Sequence, residues 1–270
     1  MAIESFPPLL LVASRFLLSG ALMLGLVRWR GLYFPRGKEL LWTAFNGFLI
    51  LGIGNACLTF SELLIPSSLA ALFTATSPFW LVGLDAGFPE GDRFRWPVFL
   101  GVLCGFAGAA VLVAPNLIEH GLQGNIWQGF LILQLGSCSW SLGSILQRHH
   151  STKAHPFVSG GVQQFSAGLA FLIPAVIDYA NPIHWSSRGV AAFFYLVLFG
   201  SIVGYSSYIY ILDKLPVALI STYTYVNPVV AAALGWLFYR EHFGARETTA
   251  MVIIFAGVAI VKRFSHRGVR

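Results

Sequence analysis

Charged side chains are scarce in this sequence. Asp, Glu, Lys and Arg make up 10% of the 270 residues, whereas soluble domains carry about 25%. Hydrophobic residues make up 56% of the chain, and a soluble fold of this length could not bury that much apolar surface. The composition therefore predicts an all-α integral membrane protein, much of which contacts lipid.

Cysteine is also rare, and no metal-ligand pattern includes it. Cys57, Cys104 and Cys138 all fall in apolar segments, and an odd number without paired spacing is not typical of a disulfide framework or a zinc site. We interpret them as small packing residues. The sequence predicts no metal and no cofactor.

Acidic residues are absent from the centres of the apolar segments. The nearest ones, Glu62, Asp85, Asp178 and Asp213, lie near segment ends, so a proton relay through buried carboxylates has no obvious carrier. The chain also lacks HExxH, GxSxG and paired intramembrane aspartates, which excludes the common motifs of an intramembrane enzyme.

Apolar segments long enough to cross a bilayer fill most of the chain. A membrane helix needs about 20 apolar residues, and Pro, Gly and charged residues separate the segments. Nine spans are predicted, at 6–27, 39–61, 65–87, 94–115, 125–147, 156–178, 189–212, 216–238 and 246–264.

The distribution of Lys and Arg predicts the orientation of these spans. The formal net charge of +6 comes from short clusters between apolar runs, such as Arg28 to Lys38, which is typical of membrane topology rather than of nucleic-acid binding. With the C-terminus in the cytoplasm, the inner segments hold thirteen Lys and Arg and the outer segments three. We therefore expect a multi-pass protein of the inner (plasma) membrane with a cytoplasmic C-terminus.

Two stretches of the sequence match at an offset of about 150 residues. Ile65–Pro78 and Leu215–Pro228 both contain a pair of prolines twelve residues apart. A Phe-Ala-Gly run follows each stretch, ending at Gly108 and at Gly257, and Gly54 upstream matches Gly204. The match divides the chain into repeats at 1–120 and 121–270.

The repeat unit has five helices in the second copy and four in the first. Because a block with an odd number of helices inverts between copies, we expect an inverted-topology repeat, with a substrate site at the repeat interface. Ten helices are expected in the complete fold. The sequence therefore predicts a missing helix before Met1, through a late start, trimming or a genuine nine-helix variant.

These residues carry a resemblance to the EamA family of the drug/metabolite transporter superfamily. The marks are SFPPLLLVASRF at 5–16, Ser-Pro78 and Asn-Pro228 at matched helix positions, Glu90 and Glu241 in short loops, and Ser139-Trp-Ser141 with Gln147-Arg148. The resemblance implies ten helices, cytoplasmic termini, and export or uptake of small metabolites such as amino acids.

Polar residues inside the spans are the candidates for a substrate pathway. Pro78 and Pro228 occupy matched positions and are candidate hinges, because proline removes a backbone hydrogen bond; a packing kink is the alternative. Single hydroxyls also serve helix packing, whereas a cluster favours binding of a polar solute. The pathway candidates are Asn55, Thr74, Ser77, Trp80, Gln134, Trp140, Gln164, Tyr205, Tyr208, Tyr223 and Asn227.

Arg15 is a charge within a predicted span. Such a charge is costly and often functional, so Arg15 could bind a carboxylate; a structural anchor to backbone carbonyls is the favoured interpretation. The Gly101/Gly105 and Gly200/Gly204 pairs favour close helix packing within the fold over a dimer interface, although a homodimer is left open.

The predicted function is transport of small metabolites, such as amino acids, by alternating access. The predicted partners are a small-molecule substrate and the lipid bilayer, with no nucleic acid. The alternative is a non-transporting membrane receptor or assembly subunit, which needs no solute-accessible cavity.

Overall fold

A computed structural model describes residues 6–89, 91–120, 125–150, 152–178, 186–227, 229–230 and 244–265. Regular structure within these ranges is entirely helical, which confirms the predicted class. In chain order the helices are α1 Pro8–Trp29, α2 Lys38–Glu62, α3 Ser67–Thr74, α4 Ser77–Gly87, α5 Trp96–His120, α6 Ile126–His149, α7 Pro156–Ala170, α8 Leu172–Asp178, α9 Ser187–Lys214, α10 Val217–Ser221 and α11 Ala245–Ser265.

Six helical stretches in the described part of the chain are long and apolar enough to cross a membrane. They are Pro8–Trp29, Lys38–Glu62, Leu69–Gly87, Ile126–His149, Ser187–Lys214 and Ala245–Ser265. Each coincides with a predicted span, while Trp96–Leu112 is a shorter apolar stretch at a seventh. The predicted span 156–178 is divided between α7 and α8, and the predicted span 216–238 lies partly outside the described residues. The total of nine spans therefore stays a prediction.

The chain forms two compact units. The first unit combines Met1–Thr59 with Leu142–Lys214, and the second combines Phe60–Ser141 with Leu215–Arg270. Each unit therefore draws one segment from each half of the sequence. The predicted repeats at 1–120 and 121–270 are a different division of the chain, and they stay a prediction about sequence.

The first unit is centred on the pairing of α1 with α7. A Cβ atom at Gly20 would lie 2.6 Å from the backbone nitrogen of Phe165, and one at Gly168 would lie 2.7 Å from that of Leu17. Because the later residue of α1 faces the earlier residue of α7, the helices are antiparallel. Glycine at these positions lets the two backbones approach closely, as is common between membrane helices.

The second unit contains a similar close pair, α5 with α11. A Cβ atom at Gly257 would lie 2.7 Å from the carbonyl oxygen of Gly101 and 2.7 Å from the backbone nitrogen of Gly105. The Gly101/Gly105 pair therefore packs within the fold. The Gly200/Gly204 pair differs. A Cβ atom added at either glycine would meet only atoms of its own helix, α9, among the described residues.

Two helices of the first unit contain π-helical segments. These are Phe48–Ile53 within α2 and Leu196–Tyr205 within α9. Such segments are rare and occur frequently at functional sites. They lie about 150 residues apart along the chain, at the offset of the sequence repeat, so this local distortion recurs with the repeat.

Pro78 lies beside a break between two helices. α3 ends at Thr74 and α4 begins at Ser77, which makes Pro78 the second residue of α4. Proline is tolerated there because the first N–H groups of a helix have no intrahelical acceptor. The hydroxyls of Thr76 and Ser77 lie 2.6 Å from the carbonyl oxygens of Phe73 and Thr74, respectively. The break therefore leaves these two carbonyls hydrogen-bonded.

Candidate functional site

Buried amide side chains form a hydrogen-bonded network in the first unit. The Nε2 group of Gln163 donates to Oε1 of Gln147 over 2.7 Å, and Nδ2 of Asn46 donates to the same oxygen over 3.3 Å. The hydroxyl of Tyr205 donates to Oε1 of Gln163 over 2.8 Å. The network thus joins α2, α6, α7 and α9 through uncharged groups.

The network is buried, and one of its acceptors lacks a partner within the described part of the chain. Asn46 is 2% exposed and Gln163 is fully buried. The Oδ1 atom of Asn46 is buried without a hydrogen-bond partner among the described residues. A buried polar atom left unpaired costs about 1–3 kcal/mol, so a donor that reached this oxygen would be stabilised by it.

The predicted residue Tyr205 belongs to this network, and the predicted residue Tyr208 lies next to it. Their rings stack with centroids 6.1 Å apart, and the hydroxyl of Tyr208 lies 2.6 Å from Oγ of Ser144. Both tyrosines are buried. The structure therefore joins two pathway candidates to amides that the sequence analysis did not select.

Gln164, another pathway candidate, faces a different set of neighbours from Gln163. Its Oε1 accepts from the hydroxyl of Ser19 over 2.5 Å, and its Nε2 donates to the carbonyl of Ser201 over 3.2 Å and to Sδ of Met23 over 3.3 Å. The oxygen and the nitrogen of this fully buried side chain are thus both hydrogen-bonded to neighbouring helices. This geometry favours a packing role over a pathway role.

The second unit has its own polar cluster, centred on Gln134. Its Oε1 accepts from Nε1 of Trp80 over 2.8 Å and lies 3.0 Å from the hydroxyl of Thr76. Its Nε2 is buried with no hydrogen-bond partner in the described structure. Nearby, the hydroxyls of Ser77 and Ser137 are 3.2 Å apart. The structure thus places Gln134, Trp80 and Ser77, predicted separately, on neighbouring helices of one unit.

Two further pathway candidates, Asn55 and Thr74, bond to backbone carbonyls of their own helices. Asn55 donates to the carbonyl of Leu51 in its own helix over 2.9 Å, and Thr74 donates to that of Ala70 over 2.8 Å. Trp140 and Tyr223 are half-buried, and Asn227 is exposed. The second candidate hinge, Pro228, lies outside the described residues, as do Glu90 and Glu241.

Arg15 is partly buried on α1. Its guanidinium carbon lies 4.5 Å from the centroid of the Phe16 ring. Its Nε atom has no hydrogen-bond partner in the described part of the chain. The expected anchor to backbone carbonyls is therefore not present through this nitrogen, and the neighbouring ring is its described contact.

The histidines of the 149–155 segment have structural contacts. His155 accepts a hydrogen bond from the backbone N–H of Phe157 at the start of α7, and His150 stacks on Trp42 with a centroid distance of 4.5 Å. Among the described residues, no group of three His, Cys, Asp or Glu side chains is arranged to hold a metal ion.

Three members of the first network are not among the predicted pathway candidates. Asn46, Gln147 and Gln163 are each visible as amides in apolar segments, whereas the predicted pathway includes the amides Asn55, Gln134 and Gln164. The signal that could have found them is the amide side chain that each of three separate helices places in an apolar segment. Which amides meet depends on tertiary packing that single segments do not encode.

These features define a polytopic α-helical membrane protein that encloses uncharged polar clusters within apolar helices. The model of the EamA-like transporter family matches residues 1–114 and 127–263. The chain belongs to this family, which confirms the resemblance drawn from its motifs.

Known proteins similar to the chain agree with this membership. It is 34% identical over 263 residues to the uncharacterized inner membrane transporter YedA of Escherichia coli K12, covering 96% of this chain and 83% of YedA. It is 26% identical over 285 residues to an uncharacterized transporter of Archaeoglobus fulgidus, covering 99% of this chain and 92% of that protein. These names indicate a transporter rather than an enzyme.

A solved crystal structure supports the fold. It is 20% identical in sequence and superposes with a TM-score of 0.84, covering 98% of this chain and 92% of that one. At this level of identity, the likeness concerns the fold alone.

Proposed function

We propose that this protein moves small polar metabolites, such as amino acids or related compounds, across the inner membrane by alternating access. The observation that carries the proposal is the burial of uncharged amide and hydroxyl clusters inside helices with apolar exteriors. Such groups can bind a polar solute without the cost of burying a charge in the membrane.

Two buried polar atoms without partners in the described structure support this proposal. Interhelical hydrogen bonds in membranes contribute about 0.6 kcal/mol on average, and packing alone gives no reason to leave a partner out. Yet Nε2 of Gln134 and Oδ1 of Asn46 are buried without partners among the described residues. A bound solute that accepts from one amide, or donates to the other, would satisfy such an atom.

The proposed topology has nine spans in two inverted copies, with the C-terminus in the cytoplasm. Local structure that recurs with the sequence repeat supports the two copies. Helices begin directly after Pro66 and after Pro216, and π-helical segments start at Phe48 and Leu196.

Efflux from proteoliposomes tests the function. The full chain is reconstituted into vesicles loaded with labelled amino acids and other small metabolites, and release is compared with that from empty vesicles. We expect release of at least one solute class, reduced about tenfold by Gln134→Leu. The matched control is Leu135→Val, because Leu135 neighbours Gln134 but is 62% exposed.

The two outcomes separate transport from its alternative. Release that depends on Gln134 and is indifferent to Leu135 supports a transporter with the second-unit cluster on its pathway. Absence of release across the whole panel, from protein that remains folded in the vesicles, would favour a non-transporting receptor or assembly subunit.

A further inference from the structure

A cavity of about 250 Å³ lies in the first unit, where α2 begins and α6 ends. Its lining combines one carboxylate, two histidines, one indole, two amides and two hydroxyls. The lining residues are Glu39, Trp42, Thr43, Asn46, Gln147, His149, His150 and Thr152. None of these is Lys or Arg, although this end of the unit is otherwise rich in cations.

One face of α2 supplies half of the lining. Glu39, Trp42, Thr43 and Asn46 follow the spacing i, i+3, i+4, i+7, which places them on one side of a helix. Seven residues of α-helix extend about 10 Å. The cavity wall therefore runs from a partly buried carboxylate at one end, its mouth, to a buried amide at its inner end.

The inner end offers a hydrogen-bond acceptor. Asn46 is 2% exposed and its Oδ1 atom has no partner among the described residues. Its Nδ2 group is already used in the bond to Gln147, which fixes the orientation of the amide. A ligand that satisfies this atom must therefore carry a donor.

The carboxylate of Glu39 is held at the mouth by three donors. Oε1 accepts from the hydroxyl of Thr152 over 2.6 Å and from the backbone nitrogen of Lys153 over 2.8 Å, and Oε2 accepts from the hydroxyl of Tyr33 over 2.7 Å. The hydrogen bond to Glu39 also raises the pKa of Tyr33 above its ordinary value. The negative charge is thus fixed in position.

Trp42 lies between Glu39 and Asn46 along the cavity-lining face of α2 and supplies an aromatic surface. Trp42 is 43% exposed, and one face of its ring stacks on His150 at a centroid distance of 4.5 Å. The face of an indole attracts cations more strongly than the face of a Tyr or Phe ring does. Acceptor, negative charge and indole thus favour the same kind of ligand.

We infer that this cavity binds a small organic ammonium ion. Its N–H groups donate towards Oδ1 of Asn46, its charge is attracted by Glu39, and its carbon skeleton lies against Trp42. The proposal concerns binding alone, and it does not depend on whether the protein transports the ligand or any other solute.

Equilibrium dialysis of the full-length protein in lipid nanodiscs tests this inference. Phenethylamine serves as the labelled probe, and 3-phenylpropionate, which has a carboxylate in place of the ammonium, is the matched ligand control. We expect saturable binding of the amine, and at least tenfold weaker binding of the acid. Equal binding of the two, or no binding of the amine at millimolar concentration, would overturn the inference.

Variants assign the binding to this cavity. Asn46→Leu and Glu39→Gln are each expected to weaken amine binding about tenfold, and Trp42→Leu about threefold. Trp127→Leu is the control, because Trp127 is equally a tryptophan near the start of a helix but lies outside the cavity lining. Binding that withstands all three cavity variants would place the site elsewhere.

Two further measurements guard against misleading results. Asn46→Asp keeps an acceptor at the inner end, so retained binding there with loss in Asn46→Leu excludes misfolding as the cause. Amino-acid efflux without amine binding overturns this inference and leaves transport intact. Amine binding without efflux of any solute supports this inference and counts against the proposed transport.

Discussion

The side-chain amide of Gln163 donates a hydrogen bond of 2.7 Å to Oε1 of Gln147. The two residues lie on successive helices, Gln147 on α6 and Gln163 on α7. Gln147 is also bonded to Asn46 on α2, and Gln163 to Tyr205 on α9. Gln147 is therefore the point at which three elements of the first unit meet through a single oxygen. The consequences of removing that oxygen can be measured.

Gln147→Met removes the shared acceptor while keeping a side chain of similar length. Two donors, on Asn46 and Gln163, then lose their partner, at a cost of about 1–3 kcal/mol for each group left unsatisfied. We expect efflux to fall at least tenfold and the thermal midpoint to fall by a few degrees. Efflux and scanning fluorimetry on the same preparation check this. A lower midpoint with unchanged efflux would mean that the network serves packing alone.

Ser19 and Gln164 are expected to stabilise the fold without affecting transport. Their hydrogen bond links α1 to α7, and such pairs in membranes couple by about 0.6 kcal/mol and at most about 1.7 kcal/mol. A double-mutant cycle with Ser19→Ala and Gln164→Leu, followed by denaturant unfolding, should show coupling in this range. Efflux reduced tenfold by Gln164→Leu alone would instead assign Gln164 to the pathway.

Gly20→Ala is expected to destabilise the protein, whereas Gly25→Ala in the same helix is not. A Cβ atom at Gly20 would come within 2.6 Å of the Phe165 backbone, while nothing lies within 4 Å of the same position at Gly25. Overpacking costs about 1–3 kcal/mol, and alanine in an exposed helix gains up to about 1 kcal/mol over glycine. Thermal unfolding in detergent compares the two, and equal midpoints would refute the close approach of α1 and α7.

Tyr225→Phe tests the core of the second unit. The buried hydroxyl of Tyr225 donates to the carbonyl of Val102 over 2.9 Å, and losing this bond should cost about 0.5–1.5 kcal/mol. Tyr210→Phe is the control, since Tyr210 is 51% exposed, and it should unfold like the parent protein. A midpoint lowered equally by both changes would show that the hydroxyl of Tyr225 makes no special contribution.

Much of the helical architecture could be predicted because lipid imposes simple rules on a sequence. The prediction of a span at 39–61 differs by one residue at each end from the observed Lys38–Glu62. Charged residues, proline and glycine mark such ends, since the hydrocarbon tolerates none of the breaks that loops require. Helix ends were therefore available from composition alone.

The partners of the polar side chains could not be predicted in the same way. Gln163 and Gln164 are adjacent, so they point about 100° apart around α7, and each meets different neighbours. The sequence of a single helix does not indicate which other helices pack against each of its faces. The π-helical segments were missed for a related reason, because their apolar residues are those of any membrane helix.

The π-helical segments also bear on how the protein fits its bilayer. As straight α-helices, the 25 residues of Lys38–Glu62 and the 28 of Ser187–Lys214 would extend about 37 and 42 Å. The hydrocarbon layer is about 30 Å thick. A π-helical turn is wider than an α-helical turn and rises less per residue. Both helices are therefore shorter than their residue counts suggest. Hydrophobic mismatch is thereby reduced, and these helices need less tilt to match the membrane.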